Sequence, residues 1–195
     1  MAAQLSLFSP LSDLPEGFAY QADFLLAGEE KDLIRTIGSL ALRNFEFHGF
    51  VGKRRVVSFG WKYDFSGREL RSAEDIPPFL HSLRDRAAAF AAVAGSTLQH
   101  ALVTEYPPGA AIGWHKDKAV FGKVIGISLL SDCTFRFRRK SGSGWERRSL
   151  TTKARSIYLL QGPARNEWEH SIPLVQSLRY SITFRELPAA RSIDQ

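Results

Sequence analysis

The chain has 195 residues and carries 26 Lys and Arg against 20 Asp and Glu, a formal charge of +6. That length suits one domain, and 44% hydrophobic with 12% aromatic residues excludes a disordered, collagenous or coiled-coil chain. The single cysteine, Cys133, excludes an intramolecular disulfide and a thiolate zinc cluster, so a reducing, cytoplasmic setting is expected.

Residues 1–27 hold Pro10, Pro15 and Gly17 and read as an extended arm over the body. The start has no basic segment leading into an apolar run, and no stretch approaches the ~20 apolar residues of a membrane helix, so neither a signal peptide nor a span is expected. Apolar positions Leu33, Ile34, Ile37, Leu40 and Ala41 predict a helix over 29–43, with Glu29 and Glu30 in its first turn. A second helix opens at Pro77-Pro78, lines one face with Leu80, Leu83, Ala87, Phe90, Ala91 and Ala94, and meets Gly95 as its expected C-cap. From Leu98 onward short strands take over, at 99–106, 123–130, 133–139, 145–150, 155–160 and 178–185, with earlier ones at 45–51 and 54–59. Phe135 and Phe137 alternate with Arg136 and Arg138, and Ser141 to Gly144 form the hairpin that follows. This order predicts an α+β protein whose β part is a sandwich or jelly roll. No repeat or linker interrupts it, and a monomer is expected.

His115 and Asp117 stand two apart, so on an extended segment both side chains reach the same side. His170 then supplies a third ligand from a different strand. Two imidazoles and one carboxylate on one face of an ion form the facial triad of non-haem Fe(II) oxygenases, with zinc as the rival metal. Arg179 and Arg185 share a face of the last strand, roughly 20 Å apart at ~3.3 Å per residue. Their planar forks suit a short dicarboxylate held between them, because each can bind a carboxylate bidentately at any working pH.

With these residues in place the sequence resembles the AlkB branch of the Fe(II)/2-oxoglutarate-dependent dioxygenases. YPPGAAIGWHKDK (106–118), ISLLSDCTFRF (127–137), GPARNEWEHSI (162–172) and RYSITFR (179–185) carry the resemblance over residues 98–187. A weaker echo lies in 47–67, where the family places its substrate lid. The resemblance implies a double-stranded β-helix, or jelly roll, over 98–187 as catalytic core, with N-terminal helices packed on one sheet and the lid within 1–97. It implies His115, Asp117 and His170 as iron ligands, and Tyr106, Arg179, Thr183 and Arg185 as the 2-oxoglutarate site. It further implies a reaction with O₂ that yields succinate and CO₂ while a C–H bond is hydroxylated; an N-methyl group so treated leaves as formaldehyde. Thr104 and Ser181 replace asparagines common in the family and keep hydrogen-bonding capacity. Ala119 stands where DNA-repair members commonly carry an acid.

For the substrate, Phe59, Trp61, Tyr63, Phe65, Trp114 and Trp168 are the available aromatics, half of them expected in the core. Trp168, two before His170, shares its side, and Trp114 faces away. Lys53, Arg54 and Arg55 form a basic triplet beside the aromatics, as a flipped base and its backbone require. Arg165 points at the site or caps the GPAR loop. Arg136, Arg138, Arg139, Arg147 and Arg148 form a solvated hairpin or brace a phosphate backbone. An oxidative demethylase of N-alkylated DNA or RNA bases is the first reading; the same chemistry on a protein side chain or small molecule is the alternative.

Overall fold

The structure, a computed structural model, describes residues 13–47, 50–64 and 69–188. In chain order the elements are β1 (Phe18–Gln21), α1 (Ala27–Gly38), β2 (Arg43–Phe47), β3 (Phe50–Phe59), β4 (Trp61–Asp64), β5 (Glu69–Ser72), α2 (His81–Phe90), β6 (Leu98–Tyr106), β7 (Ile112–His115), β8 (Val124–Leu129), β9 (Cys133–Ser141), β10 (Gly144–Thr152), β11 (Ile157–Leu160), α3 (Gly162–Asn166), β12 (Glu169–Ile172) and β13 (Arg179–Glu186). Seven strands form one sheet in the order β1-β11-β8-β13-β6-β3-β2, four form a second in the order β10-β9-β12-β7, and β4 pairs with β5. Among the described residues, no helix is long and apolar enough to cross a membrane.

Strand alternation gives the large sheet two chemically different faces. Ile125 and Ile127 of β8, Ala101 and Val103 of β6, and Ile182 and Phe184 of β13 share a buried cluster with Ile37 of α1 and Leu80, Leu83, Ala87 and Ala91 around α2. The residues between them face the small sheet. There Tyr106, Val124, Tyr158 and Leu160 meet Phe135, Phe137 and Ile172 in a second cluster. On β13 this inner face carries Arg179, Ser181 and Thr183, all buried, followed by Arg185. A polar stripe thus runs through the space between two apolar layers. Gly126 belongs to it: a Cβ there would overlap the Tyr158 ring, so the missing side chain lets that ring lie across β8.

Helix boundaries differ from the predicted ones. Helix α1 starts at Ala27 and stops at Gly38, where Ser39 Oγ donates to the Thr36 carbonyl at 2.7 Å and releases the chain into β2. Its first turn is closed by the Leu26 N–H donating to Glu29 at 2.8 Å, while Glu30 reaches across to the Leu130 N–H. Helix α2 ends before Gly95. Ala92 takes φ 50°, and the N–H groups of Ala92 and Val93 bond back to the carbonyls of Ala89 (3.2 Å) and Ala88 (3.0 Å). This is a Schellman cap with alanine where glycine usually sits. Gly95 instead opens a short 3₁₀ turn, and Ala94 is exposed.

The expected arm over 1–27 is corrected in its described part, because Phe18–Gln21 is an edge strand on β11 and Ala27 already belongs to α1; residues 1–12 lie outside the described residues. The strands β4, β5, β7 and β12 and the short helix α3 were not predicted as elements. The hairpin expected at Ser141 to Gly144 joins β9 to β10, with Phe135 and Phe137 buried opposite Leu150 and Arg148.

Candidate metal centre and carboxylate site

His115 ends β7 and His170 lies in β12, and the two are direct cross-strand partners. Residues opposite one another on adjacent antiparallel strands place their side chains on the same face. Their rings are 4.3 Å apart, centroid to centroid. Asp117 follows two residues beyond His115, with its side chain only 5% exposed. Ligand atoms of the three residues converge within 4.8 Å of one another. This set of borderline nitrogen donors and a hard carboxylate suits a divalent transition metal.

The surroundings tune each donor. Burial pushes His170 down to about 3, with His115 adding to the effect, so the imidazole is neutral. Burial lowers His115 as well, and its Nδ1 lies 2.9 Å from the Gly113 carbonyl. That bond selects the tautomer protonated at Nδ1 and leaves the Nε2 lone pair free for a metal. Burial alone would raise Asp117, yet Arg185, His170 and His115 hold its carboxyl well below the usual range. Arg185 Nε donates to Asp117 Oδ1 at 2.8 Å, and Arg185 Nη1 lies 3.3 Å from Nδ1 of buried His100.

Arg179 is placed differently. It is 1% exposed, donates from Nε and Nη2 to Ser128 Oγ at 3.2 and 3.0 Å, and lies over the Tyr106 ring at 4.8 Å. Its Nη1 is buried with no partner. A buried guanidinium with an orphaned donor fits an anionic group that the protein itself does not supply. Tyr106 and Thr183 are buried on the same inner face, as Thr104 and Ser181 are. The two arginines of β13 therefore differ in the partners the protein itself gives them. Arg185 is engaged by Asp117 and His100, whereas Arg179 has an open donor.

The basic triplet is also divided by strand alternation. Arg54, one residue before the Arg55–Glu105 pair, turns inward: its guanidinium lies 4.1 Å from the Phe45 ring and interacts electrostatically with Tyr106 and His115. Arg55 turns to the opposite face and binds Glu105 at 2.7 and 2.8 Å. The triplet was expected on the substrate side as a unit, and Arg54 was not singled out from it because consecutive cations in sequence look alike. The one-residue step that separates the faces of a strand was the available signal.

The substrate candidates scatter. Phe59 is 5% exposed in the helix-side core, and Trp168 is 3% exposed, edge-on to Phe137 with Arg139 over its ring. Arg165 reaches from the GPAR turn to the carbonyls of Lys118, Phe121 and Gly122, so it braces the loop after Asp117 and not its own, and its charge acts on Asp117 and His170. Tyr63 is brought to the metal segment, with Lys118 Nζ 5.0 Å from its ring, and Trp61 shares its face of β4. Phe65 lies outside the described residues. Trp114 faces away, under Arg136 and Arg138.

Comparisons with known proteins agree with this geometry. Over 87% of its length the chain is 26% identical to "Alkylated DNA repair protein ALKBH8 homolog" of Arabidopsis thaliana, covering 54% of that protein. It is 29% identical over 99 residues to "Uncharacterized protein L905" of Acanthamoeba polyphaga mimivirus, covering 47% of it. The chain thus spans about half the length of the curated relatives it matches. Among solved structures, that of OsALKBH1 superposes with TM-score 0.65 at 16% identity, covering 87% of this chain and 96% of that one. A Pseudomonas putida prolyl-4-hydroxylase gives 0.58 at 16% identity, covering 89% and 94%. These likenesses show the fold, a jelly roll of two facing sheets. The 2OG-Fe(II) oxygenase superfamily model matches residues 36–185, and the chain accordingly belongs to that superfamily, a dioxygenase family that uses Fe(II), 2-oxoglutarate and O₂.

Proposed function

We propose that this dioxygenase removes alkyl groups oxidatively from N-alkylated bases of DNA or RNA. His115, Asp117 and His170 hold the iron, and Tyr106, Arg179, Thr183 and Arg185 hold 2-oxoglutarate. The observation that carries the cosubstrate assignment is the unpartnered Nη1 of buried Arg179, on the same strand face as the Arg185 that grips Asp117. Residues 98–187 act as the catalytic core of one domain, with the lid contributed from 47–67 of the preceding extension, of which 48–49 and 65–67 lie outside the described residues.

Bound iron supplies O₂ activation and oxidation of a substrate C–H bond. The chain supplies placement. The Gly113 carbonyl orients His115, Arg185 fixes Asp117, and Ser128 with Tyr106 holds the Arg179 fork against one 2-oxoglutarate carboxylate. The apolar layer of Phe135 and Phe137 beneath His170 keeps the reacting region dry. Tyr63 and Trp61 offer aromatic faces to an extruded base, with Lys118 beside them to meet a phosphate. The name of the Arabidopsis relative supports this substrate class. Exposed Ala119 favours a second reading, a protein or small-molecule substrate, because it offers a base no carboxylate.

Mass spectrometry of a mixed panel of methylated DNA, RNA and peptide tests both. Loss of the methyl group from an oligonucleotide, dependent on Fe(II) and 2-oxoglutarate, is the expected result. Turnover of the peptide pool alone overturns the nucleic-acid assignment, and His115→Ala must abolish either reaction.

A further inference from the structure

The outer face of the small sheet is unlike the inner one. Alternation sends Arg136, Arg138 and Lys140 of β9, Trp145 and Arg147 of β10 and Trp114 of β7 away from the metal. They are interleaved. Arg136 and Arg138 lie 4.9 and 4.6 Å from the Trp114 ring, and Arg138 also lies 4.1 Å from the Trp145 ring, with Lys140 Nζ at 4.8 Å from it. The result is a continuous ladder of cation, indole, cation, indole and cation. Lys140 and Arg147 are exposed, and both indoles are half-buried. Of the acids in these strands only Glu169, bound to Arg138 at 2.5 Å, shares this face, so the four basic side chains keep a clear positive excess.

A structural sheet face has no need of this arrangement, since polar alternation with threonine and serine suffices, as at Thr134 and Ser149 on the same strands. Flat rings and guanidinium planes stack on unpaired bases, while the interspersed cations meet the backbone. A duplex hides its base faces and would need only the cations. We infer that this outer face is a docking track for single-stranded nucleic acid, separate from the catalytic mouth. It runs across four strands, roughly 14 Å at ~4.8 Å spacing, and ends at Trp114 on the edge strand β7. The next residue, His115, faces the metal side. A strand held on this track leaves it at the edge nearest the site. A base stacking on Trp145 exchanges with the Lys140 ammonium, whose flexible stem carries it to the neighbouring phosphate.

The inference shares with the proposed function a nucleic-acid partner, but its test uses unmodified strands. Fluorescence anisotropy of labelled oligothymidylate with the full chain should show binding that quenches tryptophan emission. Trp145→Ala should weaken it about tenfold, by loss of one stacking platform. Lys140→Gln with Arg147→Gln, both at exposed positions, should lower the slope of log affinity against log salt by about 1.4. Binding unchanged in both variants overturns the inference, as does tighter binding of a duplex of equal length. Equal competition by heparin, with no effect of Trp145→Ala, overturns it in favour of unspecific charge. Demethylation of a methylated trinucleotide by the Trp145→Ala variant at the wild-type rate supports a track distinct from the mouth. If no methylated strand is demethylated while oligothymidylate still binds through this face, the proposed function fails and the track stands.

Discussion

Replacing Arg179 by methionine separates a cosubstrate role from a structural one, because the two predict opposite changes. Arg179 is 1% exposed and shares one hydroxyl, Ser128 Oγ, between two of its nitrogens, with Nη1 unpartnered. Without an anion this is an incompletely compensated buried charge. A hydrophobic side chain of similar length removes that burden, so the variant without cosubstrate should be at least as stable as the wild type and up to about 2 kcal/mol more so. With 2-oxoglutarate the balance reverses. Two charge-assisted hydrogen bonds to a carboxylate contribute about 1.5–3 kcal/mol each, and their loss raises the dissociation constant between about 10²- and 10⁴-fold. Anaerobic calorimetric titration of 2-oxoglutarate into the Fe(II)-loaded chain measures the second effect, and urea unfolding without cosubstrate measures the first. A dissociation constant within tenfold of wild type would refute the reasoning. So would a loss of several kcal/mol in the urea experiment, which would mean that Arg179 serves Ser128 and Tyr106 instead.

Arg185→Ala should behave in the opposite sense, since it strands a carboxylate whose side chain is only 5% exposed. Unfolding without metal should then be easier by about 3–5 kcal/mol, and Fe(II) affinity should fall about 10- to 100-fold; unchanged urea midpoints would remove Arg185 from its positioning role. Glu105 gives a pH signature remote from the metal. Arg55 hydrogen bonds chiefly, with Tyr180 Oη at 3.0 Å, hold its carboxyl below the ordinary value. A depressed folded pKa contributes stability above the unfolded value of about 4.3 that is lost as pH falls through the folded one. With Arg55 47% exposed, the wild type should exceed Glu105→Gln by only about 1 kcal/mol at pH 7. Thermal melts should show that margin shrinking below about pH 4. A margin independent of pH would show that the carboxylate charge is not what stabilises.

The pair His115 and Asp117 was legible because its signal is residue chemistry at short, fixed spacing, and the polar stripe on β13 because Arg179, Ser181, Thr183 and Arg185 alternate with Tyr180, Ile182 and Phe184. The strands that bring the histidines together were not. β7 and β12 have four residues each, IGWH and EHSI, too short for alternation to register, and their pairing depends on contacts 55 residues apart in sequence (170 − 115). The end of α2 was misplaced because Ala92 adopts a backbone conformation that composition assigns to glycine. The unequal fates of Arg179 and Arg185, and of Arg54 and Arg55, depend on partners three strands or more distant in the chain order: Ser128, Asp117, Tyr106 and Glu105.

The bond between Arg185 and Asp117 also joins two bodies. Arg185 belongs to the large sheet, while Asp117 follows directly on the edge strand of the small one. One ion pair therefore works as a latch across the open end of the sandwich, and an ion drawing His115, His170 and Asp117 together would tighten the same latch. Breathing of the two sheets and occupancy of the centre become a single equilibrium, so amide exchange along residues 112–117 would report how full the centre is without any turnover.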